Sequence, residues 1–554
     1  MTGSIAPESK YWPHKKYLEV YDRSLRDPEG FWAEEARKLD WFKTWDKVLE
    51  WKPPFAKWFV GGQLNACQEC VGRHVKTWRK SKVAIYWEGE PGDSRVLSYS
   101  TLYSEINRCA SVLKNLGLRK GDTVALYLPM IPELPIFMLA CGRIGVTHTV
   151  IFSGFSAQAL ADRMNDIGAK LLVTADGGFR RGKVMPLKEI ADEALALSPC
   201  VEKAVVVNRA GTSVPMQRGR DFWYHHLLIV HSTGGYLVFN HSNYQWVFNI
   251  REESVYWCTA DVGWVTGHSS IVYAPLSHGA AIVLYEGAPD YPSLDRWWNI
   301  IETYGVTTFY TSPTAIRMFM QHGEEWSAKH DLSSLELLGT VGEPINPEAW
   351  LWYYKHIGKE RCPIVDTWWQ TETGGIMISH APGIEQLPLK PGSAGFPLPG
   401  IDAAVVNESG EAVAPGEKGL LVIKKPWPGM FLTLHGDPER YKQVYWERFP
   451  GSYYTGDYAM KDEEGYFWLL GRADEVIKVA GHRLGTLELE NAVVSHPAVA
   501  EGAAASKPDP IKGEAIVLFV ILKDGYEASD ALSKELVGHI RNVVGPVATP
   551  ERLF

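Results

Sequence analysis

The ten residues Asp366-Thr-Trp-Trp-Gln-Thr-Glu-Thr-Gly-Gly375 gather more recognition chemistry than any other stretch of this chain. The Thr371 hydroxyl and the Glu372 carboxylate are oxygen donors suited to phosphate and Mg²⁺. Trp368 and Trp369 are adjacent, so on an extended segment they face opposite sides, one packing inward while the other walls a cavity. Tyr453-Tyr-Thr-Gly-Asp457 and Tyr466-Phe-Trp-Leu-Leu-Gly-Arg472 follow. They read as a hairpin that presents Asp457 and Arg472 to a ribose. Gly177-Gly-Phe-Arg-Arg-Gly-Lys-Val184 nearly spells a phosphate-binding P-loop, but Val184 stands where the Mg²⁺-binding hydroxyl belongs. Its paired cations on a Gly-flanked loop still suit phosphate. Cys67-Gln-Glu-Cys70 with His74 lacks a second Cys pair at zinc spacing, so it reads as packing, as does His225-His226.

The elements that carry these groups alternate from Val83 onward. Thr123–Leu128, Thr147–Phe152, Lys170–Thr174 and Ala204–Val207 read as strands, with helices over Leu134–Ile144 and Ala157–Ile167. A second set of strands falls near Ser254–Cys258, Ala281–Tyr285 and Thr307–Tyr310. Alternation of this kind predicts parallel α/β layers. Gly392–Ile423 changes texture to short strands with Gly and Pro turns, a small β-barrel-like unit. Strand-like Tyr466–Leu470 and Val476–Val479 flank Gly471-Arg-Ala-Asp474, and a compact α+β unit closes the chain. Residues 1–75, rich in Trp, Tyr and charge with little strand pattern, read as an extension packed on the main body. The expected division is 1–75, 76–472 and 473–554.

At 554 residues the chain exceeds one core. Its net charge of −9 argues against nucleic-acid partners. The N-terminus has no secretory h-region, and Pro129, Pro132, Glu133 and Pro135 break the greasiest stretch, so no membrane association is expected. Seven scattered Cys fit reduced thiols in a cytoplasm.

Taken as an ordered set, these strings closely resemble the signatures of the AMP-forming acetyl-CoA synthetases, of the adenylate-forming superfamily. The likeness runs from about Tyr17 to Phe554. It implies a large α/β domain with a small, hinged α+β C-terminal domain. By resemblance, Gly342, Glu343 and Pro344 contact adenine, and Asp366, Thr367, Trp368, Trp369, Gln370 and Thr371 belong to the ATP/AMP site, in a run that lines the adenine, phosphate and acyl pockets. Asp457 and Arg472 hold the ribose, and Arg483 adds to the nucleotide site. Val265, Thr266, Val341 and Trp369 form the acyl pocket. Arg180, Lys183 and Arg541 grip the phosphorylated end of CoA. Gly481 lines the thiol channel, Asp474 is the hinge, and Glu372 with Thr371 serves Mg²⁺ and the α-phosphate. An indole at the pocket's end favours acetate, with propionate second.

The likeness has two breaks. Trp223-Tyr-His-His-Leu-Leu228 runs straight into Ile229-Val-His-Ser-Thr-Gly-Gly235, where the family carries a Ser/Thr/Gly/Lys-rich loop for the β- and γ-phosphates. The chain also stops before the family's Lys-bearing C-terminal segment. Both losses fall on adenylation, and the whole protein is expected to carry both segments. The expected reaction is ATP + acetate + CoA to acetyl-CoA + AMP + pyrophosphate through acetyl-AMP. ATP, CoA and Mg²⁺ are the expected co-substrates, and an oligomer is possible. The alternatives are a nucleotide- and acyl-binding pseudo-enzyme, or a synthetase for propionate or another short acid.

Overall fold

A computed structural model describes residues 15–554, apart from 218, 224–232, 434–437, 474–475, 480–481, 510–512, 524, 545–547 and 551. The breaker and apolar-run pattern becomes two largely parallel sheets. The first has the order Asp221–Trp223, Lys203–Val207, Leu171–Ala175, Thr123–Tyr127, Thr147–Val150. The second runs Ile364–Asp366, Leu337–Thr340, Thr308–Thr311, Val255–Cys258, Ala281–Tyr285, Val83–Glu88, Ser94–Ser98, and its last pairing is antiparallel. Strands buried on both faces need near-continuous apolar runs, as in Ala281-Ile-Val-Leu-Tyr285, where every residue is buried.

Each sheet reverses its winding once. In the second, Val255–Cys258 is followed by Ala281–Tyr285 on one side, and the chain then returns to Thr308–Thr311 on the other. In the first, Thr123–Tyr127 leads to Thr147–Val150 and then back to Leu171–Ala175. Diverging connections leave a crevice beyond the carboxyl ends of such strands, where ligands bind in open α/β sheets. One large apolar core runs through the first sheet, part of the second and the N-terminal segment, and a second core fills the rest of the second sheet.

The small β unit is an open antiparallel sheet, ordered Ala403–Val406, Lys418–Ile423, Tyr453–Lys461, Phe467–Arg472. Four strands do not close here; instead Gly395 bridges Phe467 beside the last strand. The unit is thus longer in sequence than Gly392–Ile423 and is no closed barrel. The N-terminal residues also hold a strand pair that the sequence pattern concealed, Lys47–Lys52 against Phe55–Val60. The segment is tied to the body by Trp32, which is fully buried, and by the Tyr17 hydroxyl donating to Pro397 O at 2.5 Å. Residues 476–554 form their own sheet with helices Thr486–Val494 and Asp530–Val543 around Leu489, Val493, Leu518 and Leu536. Among the described residues, no helix is long and apolar enough to cross a membrane.

Candidate active site at two topological switch points

The Asp366 run leaves the edge of the second sheet at the carboxyl end of Ile364–Asp366. Asp366 itself is buried. Its Oδ2 accepts from the Trp350 indole N–H at 3.0 Å and its Oδ1 from the Thr340 hydroxyl. Burial pushes this carboxyl up to about 7, the two hydrogen bonds opposing the shift. Both its oxygens are therefore committed to the protein. Beyond it the ladder ends, and Trp368 makes an isolated bridge to Ile378. The half-buried indoles of Trp368 and Trp369 both border one cavity of about 810 Å³ and both pack against the main core, so the expected division between them does not hold.

That cavity collects most of the sequence-derived residues. Val265, Thr266, Val341, Gly342, Glu343, Pro344, Asp366, Thr367, Trp368, Trp369, Gln370, Thr371, Asp457 and Arg472 all border it. Asp457 and Arg472 are direct partners across neighbouring strands, with Nη1 and Oδ1 3.5 Å apart. Asp457 lies within its strand, beside a register shift. Gln370 joins the two motifs. Its Nε2 donates to Thr455 O at 2.7 Å and to Asp457 Oδ2 at 2.9 Å, while its Oε1 accepts from the Tyr453 hydroxyl at 2.9 Å. The Trp368 indole N–H donates to the same Asp457 oxygen at 3.1 Å. Glu343 is held by the Thr314 N–H at 2.8 Å and by Arg317 at 3.0 Å.

A second cavity of about 690 Å³ adjoins the first, and Thr259, Ala260 and Ser312 border both. These three directly follow the strands Val255–Cys258 and Thr308–Thr311, at the second sheet's switch point. Pro129 and Met130, which follow Thr123–Tyr127 at the first sheet's switch point, border the second cavity. Motif reading missed Thr259, Ala260 and Ser312, although their position just past buried strands was the available signal. It also missed Trp264, 56% exposed at the first cavity, and Glu490, which reaches that cavity from the C-terminal unit.

Gly177–Val184 is no P-loop entering a helix; Gly178–Arg180 and Lys183–Met185 form a tight antiparallel hairpin. Arg180 borders the second cavity, and Lys183 is exposed directly opposite it in the pairing. Asp261, another border residue, has its carboxyl pushed up to about 6 by burial, with the Gly263 N–H and Arg180 opposing. Arg541 is exposed near the end of Asp530–Val543 and borders neither cavity. Asp474, Gly481, the Trp223/Ile229 junction and His225-His226 lie outside the described residues, as does the Arg483 side chain.

Glu372 also stands off the cavity. Its Oε1 accepts from the Tyr445 hydroxyl at 2.8 Å, which leaves Oε2 and the exposed Thr371 hydroxyl as oxygen donors. One carboxylate beside a hydroxyl fits Mg²⁺ that draws the rest of its shell from water and substrate phosphates. No cluster of three His, Cys, Asp or Glu ligands occurs among the described residues. Cys70 and His74 are engaged by backbone carbonyls, of Tyr273 at 3.5 Å and Leu276 at 2.8 Å.

Comparison with known proteins gives concordant matches. A family model described as AMP-binding enzyme matches residues 72–220 and 228–433. A model of the acetyl-coenzyme A synthetase N-terminus matches 17–70, and one of the AMP-binding enzyme C-terminal domain matches 488–554. An acetyl-coenzyme A synthetase of Pyrobaculum aerophilum is 54% identical, with 99% of this chain and 88% of the relative aligned. One from Rubrobacter xylanophilus is 54% identical over 97% of this chain and 88% of its own length. One from Methanothrix thermoacetophila is 49% identical over 99% and 87%. The Pyrobaculum alignment is 590 positions long against 554 residues here, and the main family match breaks between 220 and 228.

Proposed function

The chain belongs to the acetyl-coenzyme A synthetases among the AMP-binding enzymes, and from that membership we propose how its two cavities share the work. It is an AMP-forming acid–thiol ligase that takes acetate, ATP and CoA as substrates. The observation that carries the assignment of the site is the shared wall: a nucleotide-sized cavity and a second cavity headed by Arg180 meet at Thr259, Ala260 and Ser312. A carboxylate activated in the first can thus meet a thiol that arrives through the second.

In this reading the acetyl group lies among Val265, Thr266, Val341 and Trp369, and the indole excludes longer acids by volume. Adenine packs at Gly342-Glu-Pro344. Asp457, kept in place by Gln370 and Trp368, receives the ribose hydroxyls, and Arg472 stands opposite. Acetate oxygen attacks the α-phosphorus and pyrophosphate leaves, and Thr371 donates to the α-phosphate. Glu372 would hold Mg²⁺, whose charge would offset that of the ATP phosphates. The CoA sulfur then attacks the acetyl carbonyl, the carbonyl–phosphate bond breaks, and AMP departs with the electron pair. Arg180, Lys183 and Arg541 receive the CoA phosphates. Residues 473–554 turn about Asp474 between the two steps, a division in keeping with their separate core. We place the reaction in the cytoplasm.

A second reading rests on the break in the family match between 220 and 228. The chain as written forms the thioester from a supplied adenylate but adenylates slowly, since phosphate clamping is the main electrostatic aid to that step. Two assays separate the readings. Acetate-dependent exchange of pyrophosphate into ATP reports adenylation, and supplied acetyl-AMP with CoA reports thioester formation. A full ligase shows both. Thioester formation alone supports the second reading, and failure of both refutes the site assignment.

A further inference from the structure

Glu90 touches neither cavity, yet its geometry ties it to the second. It lies in the turn after Val83–Glu88, and it is 4% exposed. Its Oε2 accepts from the N–H groups of Arg181 at 2.9 Å and Ala288 at 3.1 Å, and its Oε1 from the N–H of Gly182 at 2.9 Å. Arg181 and Gly182 are the two loop residues of the hairpin, and both are left-handed, at φ 51° and 71°. That is the two-residue turn whose twist matches a tight hairpin. Arg180 and Lys183 flank it as direct partners. The orientation of both cations therefore depends on how this turn is held.

The turn belongs to the first sheet's connections, whereas Glu90 and Ala288 follow neighbouring strands of the second. One buried carboxylate thus pins the hairpin across the boundary between the two sheets. A second, Glu286, accepts from the Phe179 N–H at 3.4 Å and pairs with Arg209, whose guanidinium lies over the Phe179 ring at 4.7 Å. Glu286 thus has a cation of its own, while Glu90 is directed at the turn's backbone.

We propose that Glu90 is a positioning residue for CoA, which sets the Arg181–Gly182 turn so that Arg180 and Lys183 meet the 3′-phosphate end of that substrate. The proposal rests on the reading of Arg180 and Lys183 given above. Glu90→Gln keeps the volume but replaces one acceptor with an amide that faces an N–H donor, so the turn must shift.

The test supplies acetyl-AMP to the full chain with either CoA or 3′-dephospho-CoA. E90Q is expected to raise KM for CoA about tenfold, the equivalent of one lost charge-assisted hydrogen bond, and to narrow the preference for CoA over dephospho-CoA. KM for acetyl-AMP should stay within about twofold, since no hydrogen bond of Glu90 reaches the nucleotide cavity. A parallel rise in both KM values, or an unchanged KM for CoA, overturns the proposal. Should E90Q not fold, Gly182→Ala disturbs the same turn, because its Cβ would meet the Tyr291 hydroxyl at 2.5 Å, and it carries the same expectation. A wild-type chain that forms thioester but does not distinguish CoA from dephospho-CoA refutes the phosphate role of Arg180 and Lys183 instead, whatever E90Q does.

Discussion

Replacing Asp366 by Asn should stabilise the protein at neutral and alkaline pH, although the residue lies in its most distinctive motif. The folded carboxyl titrates at about 7 because burial penalises its charge. An unfolded aspartate titrates near 3.9, so a gap of roughly three units corresponds to about 4 kcal/mol of stability lost once the group is ionised. The sign follows from proton counting. Between about pH 4 and 7 the native state holds a proton that the unfolded chain has released, so this group's contribution is intact below that window and falls as pH rises through it. Asn mimics the neutral form without titrating. Its oxygen can accept from the Trp350 indole, and its amide can donate to the Thr340 hydroxyl, which turns from donor to acceptor. Denaturant unfolding of wild type and D366N at pH 5 and pH 8 provides the check. The advantage of the variant should grow by about 3 kcal/mol between the two, the part of the penalty that accrues above pH 5. A variant equally destabilised at both pH values, or one whose deficit grows with pH, would refute the reasoning.

Trp369→Ala should open the acyl pocket. Two further methylenes at about 0.8 kcal/mol each give butyryl-AMP a gain of roughly fifteenfold in kcat/KM relative to acetyl-AMP, read as CoA-dependent thioester formation. An unchanged ranking of the two adenylates would remove Trp369 from the acyl wall. Gln370→Ala strands the fully buried Tyr453 hydroxyl and takes a donor from Asp457. It should cost about 2–3 kcal/mol in denaturant unfolding and raise KM for acetyl-AMP about tenfold. Arg209→Met leaves Glu286, 2% exposed, without its cation. A loss of about 3 kcal/mol is expected at pH 8. Part of it should return at lower pH as the carboxyl, already raised by burial, takes up a proton.

What was legible in the sequence depended on whether neighbours in the chain or in space supplied the physics. Ala281–Tyr285 could be read to the residue because a doubly covered strand must be apolar throughout, and that constraint is local. Asp457 and Arg472 could be placed together because a short hairpin sets both positions with one turn, and the register pairs them directly. Lys47–Lys52 was hidden because no residue of that strand is fully buried, so no alternation marks it. The Trp368–Trp369 pair was misread for another reason. Each indole both borders the cavity and packs against the core, and nothing within ten residues reports which surfaces a side chain meets. Asp366 and Glu90 are the extreme cases. The sequence marks Asp366 as a nucleotide-site candidate and leaves Glu90 unmarked. In the fold, the first is buried and accepts from Thr340 and Trp350, and the second accepts from the backbone of a hairpin some ninety residues away. A carboxylate's role is set by which donors reach it, and those donors arrive through topology rather than through spacing.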